Sequence, residues 1–255
     1  MSGGVIARLR ASLAGRADLS EVLSNGWTTL TAAELARRPV GTEGEGPLTL
    51  GDLFDLSGEP GSRIRFEGDL ARADRVGAGL AEGEAIVEGS VGGEAGMGMT
   101  GGSLEIRGDA GPRAGAAAPE ARRGMTGGEL IVRGSAGPEA GALMRRGLVA
   151  IAGGAGSHAG AGMIAGTVMV FGGIGAAAGL WSKRGSIVAL GPVTVPPTYR
   201  YACTYQPVHL RLTLARLRAR YALPVEERHL TGFYHRYSGD LADLGKGEIL
   251  AWTAE

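Results

Sequence analysis

Lysine is nearly absent from this chain: Lys183 and Lys246 stand against 24 arginines in 255 residues. Asparagine occurs once, at Asn25, so no asparagine ladder lines a stack of strands. Cysteine also occurs once, at Cys203, which excludes an intrachain disulfide and any site built from several thiolates. No apolar run reaches the ~18 residues of a membrane-spanning helix. The opening stretch MSGGVIARLRASLAG lacks the compact apolar core of a secretory signal, so a soluble, cytoplasmic protein is expected. The 26 basic and 26 acidic side chains cancel, and no excess of charge favours nucleic acid or an anionic membrane.

Glycine is abundant, with 47 residues against an average near ~7%. Hydrophobic residues at 44% exclude a disordered chain, and no glycine-every-third pattern supports collagen. The glycines fall instead into columns. Starts at Gly83, Gly102, Gly128, Gly147, Gly166 and Gly185 are spaced by 19, 26, 19, 19 and 19 residues, so one unit carries a seven-residue insertion. Six residues after each start stand Gly89, Gly108, Gly134, Gly153, Gly172 and Gly191. Two further columns follow, the last an Ala-Gly pair such as Ala140-Gly141. Two and four residues after each start stand apolar residues, among them Leu104 and Ile106 or Val168 and Val170.

Alternation of period two marks a strand with one face inward. The rest of each unit is too glycine-rich for a helix, since each interior glycine costs about 1 kcal/mol against alanine. Such a unit buries its apolar face only by stacking on its neighbours. The fold class expected is mainly β: a single-stranded right-handed parallel β-helix, a solenoid of 19-residue coils. Its corners, Gly89, Gly108, Gly134, Gly153, Gly172 and Gly191 among them, need positive φ or close backbone approach, which glycine supplies, and positive φ is expected at Gly134 and Gly153. A left-handed hexapeptide helix closes its coil in about 18 residues, and a 19-residue period breaks that register. A β-sandwich has no reason to keep a 19-residue period.

The expected organisation is an N-terminal capping segment at 1–60, a solenoid of about seven coils at 61–198, and a C-terminal helix and tail at 199–255. In the first part, Thr31 and Glu34 form a capping-box pattern that starts a short helix ended by Pro39, and Leu48 to Leu56 alternates as a strand. In the last, Leu210, Leu214, Leu217 and Tyr221 recur at helical spacing among arginines. Such a helix suits RNA or a membrane in principle; with zero net charge, a capping helix with solvated arginines is the better reading. Gly245-Lys246-Gly247-Glu248 lacks the spacing and hydroxyl of a phosphate loop.

Titratable groups are scarce where chemistry would need them. Between Gly83 and Gly191 the coils hold one histidine, His158, and one aspartate, Asp109. The acid sets of polysaccharide-cleaving β-helices are missing, and so are the repeated aspartates of calcium-binding repeats. His158 reads as a hydrogen-bonded corner residue. His209, His229 and His235 lack metal-ligand spacing, and Cys203 with His209 or His235 is the remaining candidate for a nucleophilic pair. No catalytic and no metal-binding residue is assigned. Arg145 and Arg146 precede Gly147, Lys183 and Arg184 precede Gly185, and Arg122 and Arg123 fall near the insertion. Stacking places these six cations on one side, as an anion track, a partner contact or solvated corners.

The frame G-x5-G-x2-G-x3-G, with the runs GMTGGSLEIRGDAGPRAG and GMTGGELIVRGSAGPEAG, resembles the GXGXG-type β-helix domain. That domain occurs in glutamate synthase and in the C subunit of formylmethanofuran dehydrogenase. The flanks GDLFDLSGE, TYRYACTYQPVHLRLTLARL and YHRYSGDLADLGKGEIL resemble the latter over nearly the full chain. The arginine-for-lysine composition favours the bacterial version, a formyltransferase/hydrolase complex. The resemblance implies a non-catalytic scaffold in tetrahydromethanopterin-linked one-carbon metabolism, where formaldehyde is oxidised to formate. It implies three partners: an amidohydrolase-like A subunit with zinc, a B subunit, and a D subunit that carries the formyltransferase. The complex is expected to use a methanofuran analogue and tetrahydromethanopterin, none bound by this chain. The alternative is a stand-alone glutamate-synthase-like domain or a carbohydrate-directed β-helix protein.

Overall fold

The computed structural model describes residues 3–24, 26–42 and 46–254; Asn25 and residues 1–2, 43–45 and 255 lie outside it. In chain order the N-terminal elements are β1 (Val5–Leu9), β2 (Ala17–Asp18), α1 (Ala32–Ala36), β3 (Pro39–Thr42), β4 (Leu48–Thr49), α2 (Leu50–Leu53) and β5 (Phe54–Gly58). The repeats follow as β6 (Arg63–Glu67), β7 (Ala73–Asp74), β8 (Glu84–Val87), β9 (Ser103–Ile106), β10 (Glu129–Val132), β11 (Leu148–Ile151), β12 (Thr167–Val170) and β13 (Arg184–Ala189). The chain ends with β14 (Arg200–Tyr205), α3 (Val208–Tyr221), α4 (Glu227–Thr231), β15 (Phe233–Gly239) and β16 (Lys246–Thr253).

The molecule is mainly β. Its twelve-stranded sheet runs β14-β15-β16-β13-β12-β11-β10-β9-β8-β6-β1-β5. From β1 through β16 the pairings along this order are parallel, and antiparallel strands sit at both ends. Register follows the repeat: Val87 opposes Ile106, Ile106 opposes Val132, Val132 opposes Ile151, and Ile151 opposes Val170. All five are fully buried. Each such side chain is worth about 1.5–3 kcal/mol on burial. A second parallel ladder of single bridges links Leu70, Val91, Ala110, Ala136, Ala155, Ile174 and Val193 in turn. Met99, Met125, Met144 and Met163 are buried in the same core, where the flexible thioether packs readily.

The glycine columns divide into two physical kinds. Those at Gly83, Gly102, Gly128, Gly147, Gly166 and Gly185 hold φ between 63° and 104°. The column at Gly89, Gly108, Gly134, Gly153, Gly172 and Gly191 does not, which corrects the expectation of positive φ there. Close approach explains those glycines instead. A Cβ on Gly153 would lie 2.7 Å from the Gly134 carbonyl oxygen and 2.5 Å from Ser135 Oγ in the preceding repeat.

The flanks extend the same interior. In α1 the Thr31 hydroxyl accepts the Glu34 N–H and the Glu34 carboxylate accepts the Thr31 N–H, completing the capping box. The single strand expected over Leu48 to Leu56 is broken by α2. The Asp52 carboxylate accepts both the Thr49 N–H and hydroxyl at 2.8 and 2.7 Å, and that closes a helical turn before β5 resumes. Leu23, Trp27, Leu35, Leu50 and Phe54 join the core of the repeats.

Helix α3 buries Leu210, Leu214, Leu217 and Tyr221, the four residues its spacing singled out. They pack on Ile131, Ala150, Met169 and Val188, the outward side chains of the sheet. The helix thus covers a face of the ladder rather than an end, and β9 and β11 are buried on both faces. Glu129 fastens it, accepting a 2.7 Å hydrogen bond from the Tyr221 hydroxyl and pairing with Arg216 and Arg220.

Replacing Gly153 by valine is expected to cost about 1–3 kcal/mol, the usual range for overpacking. Gly46→Ala, where an added Cβ meets nothing within 4 Å, is the control. Equal urea midpoints for both variants would show that the repeats do not approach as closely as described.

Candidate functional site

The six cations occupy related positions on the stack. The Arg145 N–H donates to Met125 O, the Ile164 N–H to Met144 O and the Lys183 N–H to Met163 O, so these three residues share one column. The two cationic pairs therefore lie two repeats apart, about 10 Å, with Ile164 and Ala165 between them. The Gly124 N–H donates to Leu143 O, which brings Arg122 and Arg123 to the same edge. Arg145 is half-buried and the other five are exposed. Among the described residues none of the six has an ion-pair partner.

A second charged column was not read from the sequence. Arg75, Glu94, Arg113, Glu139, His158 and Ala177 occupy equivalent corners, all left-handed with φ between 58° and 65°. Their charges alternate and pair repeat to repeat: Arg75 Nε to Glu94 Oε2 at 2.7 Å, Arg113 Nε to Glu94 Oε1 at 3.2 Å, and Arg113 Nη1 to Glu139 Oε2 at 2.9 Å. Arg75 also holds Asp18 of β2 at 2.8 Å, and Arg16 pairs with Asp74. All of these charged residues except Glu139 line a cleft of about 520 Å³. The signal for this column was present eleven residues after each repeat start, as the succession Glu94, Arg113, Glu139, His158. The more regular glycine columns on either side mask it. Its carboxylates are each engaged by a guanidinium, an arrangement that holds corners together and leaves no free general base.

Cys203 and His235 are neighbours across the β14–β15 pair but fall on opposite faces of it, and His158, His209 and His229 lie in other parts of the chain. His158 is a half-buried corner whose N–H donates to Ala176 O and whose carbonyl accepts from the Ala161 N–H. In the β14–β15 pair Cys203 opposes Arg236, while His235 Nδ1 is bonded to the Thr204 hydroxyl at 2.7 Å. Cys203 is exposed. Among the described residues no three His, Cys, Asp or Glu side chains converge as a metal site, and no helix is long and apolar enough to cross a membrane.

His229 is buried edge-on between Phe171 and Trp252, with ring centroids 6.3 and 5.6 Å away. Its Nδ1 accepts the Glu226 N–H at 3.1 Å, so the ring is neutral with its proton on Nε2. Burial holds its pKa below the ordinary histidine value, and Arg228 acts in the same direction against Glu226. The unfolded chain then binds more protons than the folded one below about pH 6.5. Stability should be full above that value and fall as the pH drops below it. Comparing His229→Phe with the parent by thermal denaturation between about pH 7.5 and pH 5.5 checks this. A parent whose stability drops no more steeply than the variant's contradicts it.

No protein-family model matches the chain. An 85-residue stretch, 33% of this chain, is 42% identical to the C subunit of the formyltransferase/hydrolase complex Fhc of Methylorubrum extorquens. That match spans about a third (32%) of the relative's own length. The structural match is far longer. A chain in the X-ray crystal structure of the formyltransferase/hydrolase complex (FhcABCD) from the same organism, in complex with methylofuran, superposes with a TM-score of 0.80. It is 36% identical and covers 96% of this chain and 98% of that one. Sequence and fold together place this chain in the family of the C subunit of the formyltransferase/hydrolase complex.

Proposed function

We propose that this chain is the scaffold subunit of a formyltransferase/hydrolase complex and contributes no catalytic residue of its own. One observation carries the reading: almost the whole chain superposes on almost the whole of a chain from such a complex, at 36% identity. The chemistry of the repeats supports it, because their most conspicuous acids are bound up in pairing one corner to the next.

On this reading the two parallel ladders are walls of a single-stranded right-handed β-helix of 19-residue coils, and their shared register supports that description. Residues 61–198 form the helix, 1–60 its cap and 199–255 its tail. The partners are the A, B and D subunits, in the cytoplasm. The methanofuran analogue and tetrahydromethanopterin serve those subunits, and the zinc belongs to the A subunit. Arg122, Arg123, Arg145, Arg146, Lys183 and Arg184 offer unpaired positive charge to an anionic group, whether a flexible polyanionic cofactor or acids of a neighbouring subunit.

The purified chain is expected to show no formyl transfer or hydrolysis and to hold no metal. Stoichiometric zinc or iron by elemental analysis, or turnover by the lone chain, overturns the proposal. Reversing Arg145 and Arg146 to glutamate in the assembled complex distinguishes the two anions. Slower turnover relieved by added cofactor identifies a cofactor contact, and dissociation identifies a contact with a neighbouring subunit. Each exposed ion pair is worth only about 0–1 kcal/mol, so the double reversal is needed for a readable effect. An intact complex with unchanged, equally salt-sensitive kinetics removes both roles.

A further inference from the structure

Four residues before the repeat starts, Gly79, Gly98, Leu143, Gly162 and Trp181 share a left-handed backbone, with φ between 58° and 66°. Glycine adopts that conformation freely, whereas a bulky side chain there is strained. Leu143 and Trp181 nevertheless stand in the column, and burial does not repay the strain: Trp181 is 59% exposed and Leu143 37%. Gly162 lies between them, where an added Cβ would come 2.7 Å from Leu143 Cδ2. The result is an open, largely apolar cleft of about 230 Å³, walled by Leu143 and Trp181 and floored by Ala142, Ala161 and Gly162, with His158 and the mutually paired Arg113 and Glu139 also in its lining.

The backbone beneath Trp181 is held firmly. Amides of this column donate to the following repeat, as Leu143 N–H does to Ala161 O and Gly162 N–H to Leu180 O, both at 2.8 Å. After Trp181 no repeat follows, and the tail supplies the acceptor. The fully buried Asp240 takes the Trp181 N–H on Oδ2 and the Ala242 N–H on Oδ1, each at 2.8 Å. A buried carboxylate thus fixes the backbone from which an exposed indole projects.

Unpaired cations follow the two walls of the cleft closely along the chain. Arg145 and Arg146 follow Leu143 by two and three residues, and Lys183 and Arg184 follow Trp181 at the same offsets. The Gly124 N–H bond to Leu143 O adds Arg122 and Arg123.

We propose that the Leu143–Trp181 cleft is the anchor for a protein subunit of the complex, one whose acidic surface segment inserts an apolar side chain between these two residues. This rests on the reading of the chain as part of that complex. An aromatic residue that binding would desolvate, inside a polar rim, is the usual anatomy of a binding hot spot. The six unpaired cations select an acidic partner. They also disfavour a second copy of this chain, because a two-fold contact would set the same cations against each other.

The test is the double variant L143G/W181G, which gives both positions the glycine found elsewhere in the column. The isolated full-length variant should melt no lower than the parent, because glycine relieves the strained backbone. Its association with co-expressed formyltransferase/hydrolase subunits, measured by sedimentation and by binding kinetics, should weaken at least tenfold. If the parent chain assembles with none of those subunits, the functional reading itself fails. If parent and variant assemble equally well, the functional reading stands and the cleft proposal is overturned. A lower melting point for the variant overturns it too, by assigning Leu143 and Trp181 to the stability of the chain. Self-association of the parent that the variant lacks overturns it in favour of a second copy.

Discussion

Along the described repeats, backbone amides reach for acceptors in the neighbouring repeat. Gly153 N–H reaches Gly134 O, Gly172 N–H reaches Gly153 O, and Gly160 N–H reaches Ala140 O, all within 2.9 Å. A buried backbone donor left unpaired is costly, so every repeat depends on the next. Side-chain rules follow from this constraint. Equivalent residues must stack on equivalent residues, and glycine stands wherever one backbone passes directly over another.

Such a stack has a terminal repeat whose amides would otherwise go unmet, and exposed sheet edges invite unwanted pairing. The two flanks answer these needs. At one end β1 and β5 continue the sheet and close it antiparallel, and at the other β16, β15 and β14 do the same. Asp240 replaces a missing carbonyl with a carboxylate. Burial pushes that carboxyl up, but the Ala242 and Trp181 N–H groups outweigh it and hold its pKa below the usual aspartate value.

The inward faces of the repeats were legible because they need only apolar residues at fixed offsets, which glycine spacing brings into frame. Val87 through Val170 could be placed that way, and so could the buried face of α3. What α3 covers was not legible from the helix alone, although Ile131, Ala150, Met169 and Val188 are apolar where a solvated face would be polar. The turn at α2 was hidden because Leu48 to Leu56 alternates well enough for a strand, and the competing signal was one carboxylate, Asp52. Positive φ at the Gly134 column was the wrong inference from a correct observation: sequence distinguishes poorly between a glycine needed for its φ and one needed for its missing Cβ. The six cations were visible as a group. The Leu143–Trp181 cleft was not, since the strain at those two positions exists only in the backbone.

The corner charges carry one more implication. Along Arg75, Glu94, Arg113 and Glu139 the sign changes at every repeat, so Glu94 and Arg113 each touch opposite charge above and below. Excising a single coil from this stretch would bring like charge onto like at about the 4.8 Å strand spacing. Excising two would restore the alternation. The ladder therefore gives the stack a parity: its length can drift in even steps at little electrostatic cost, while an odd step is penalised at the seam.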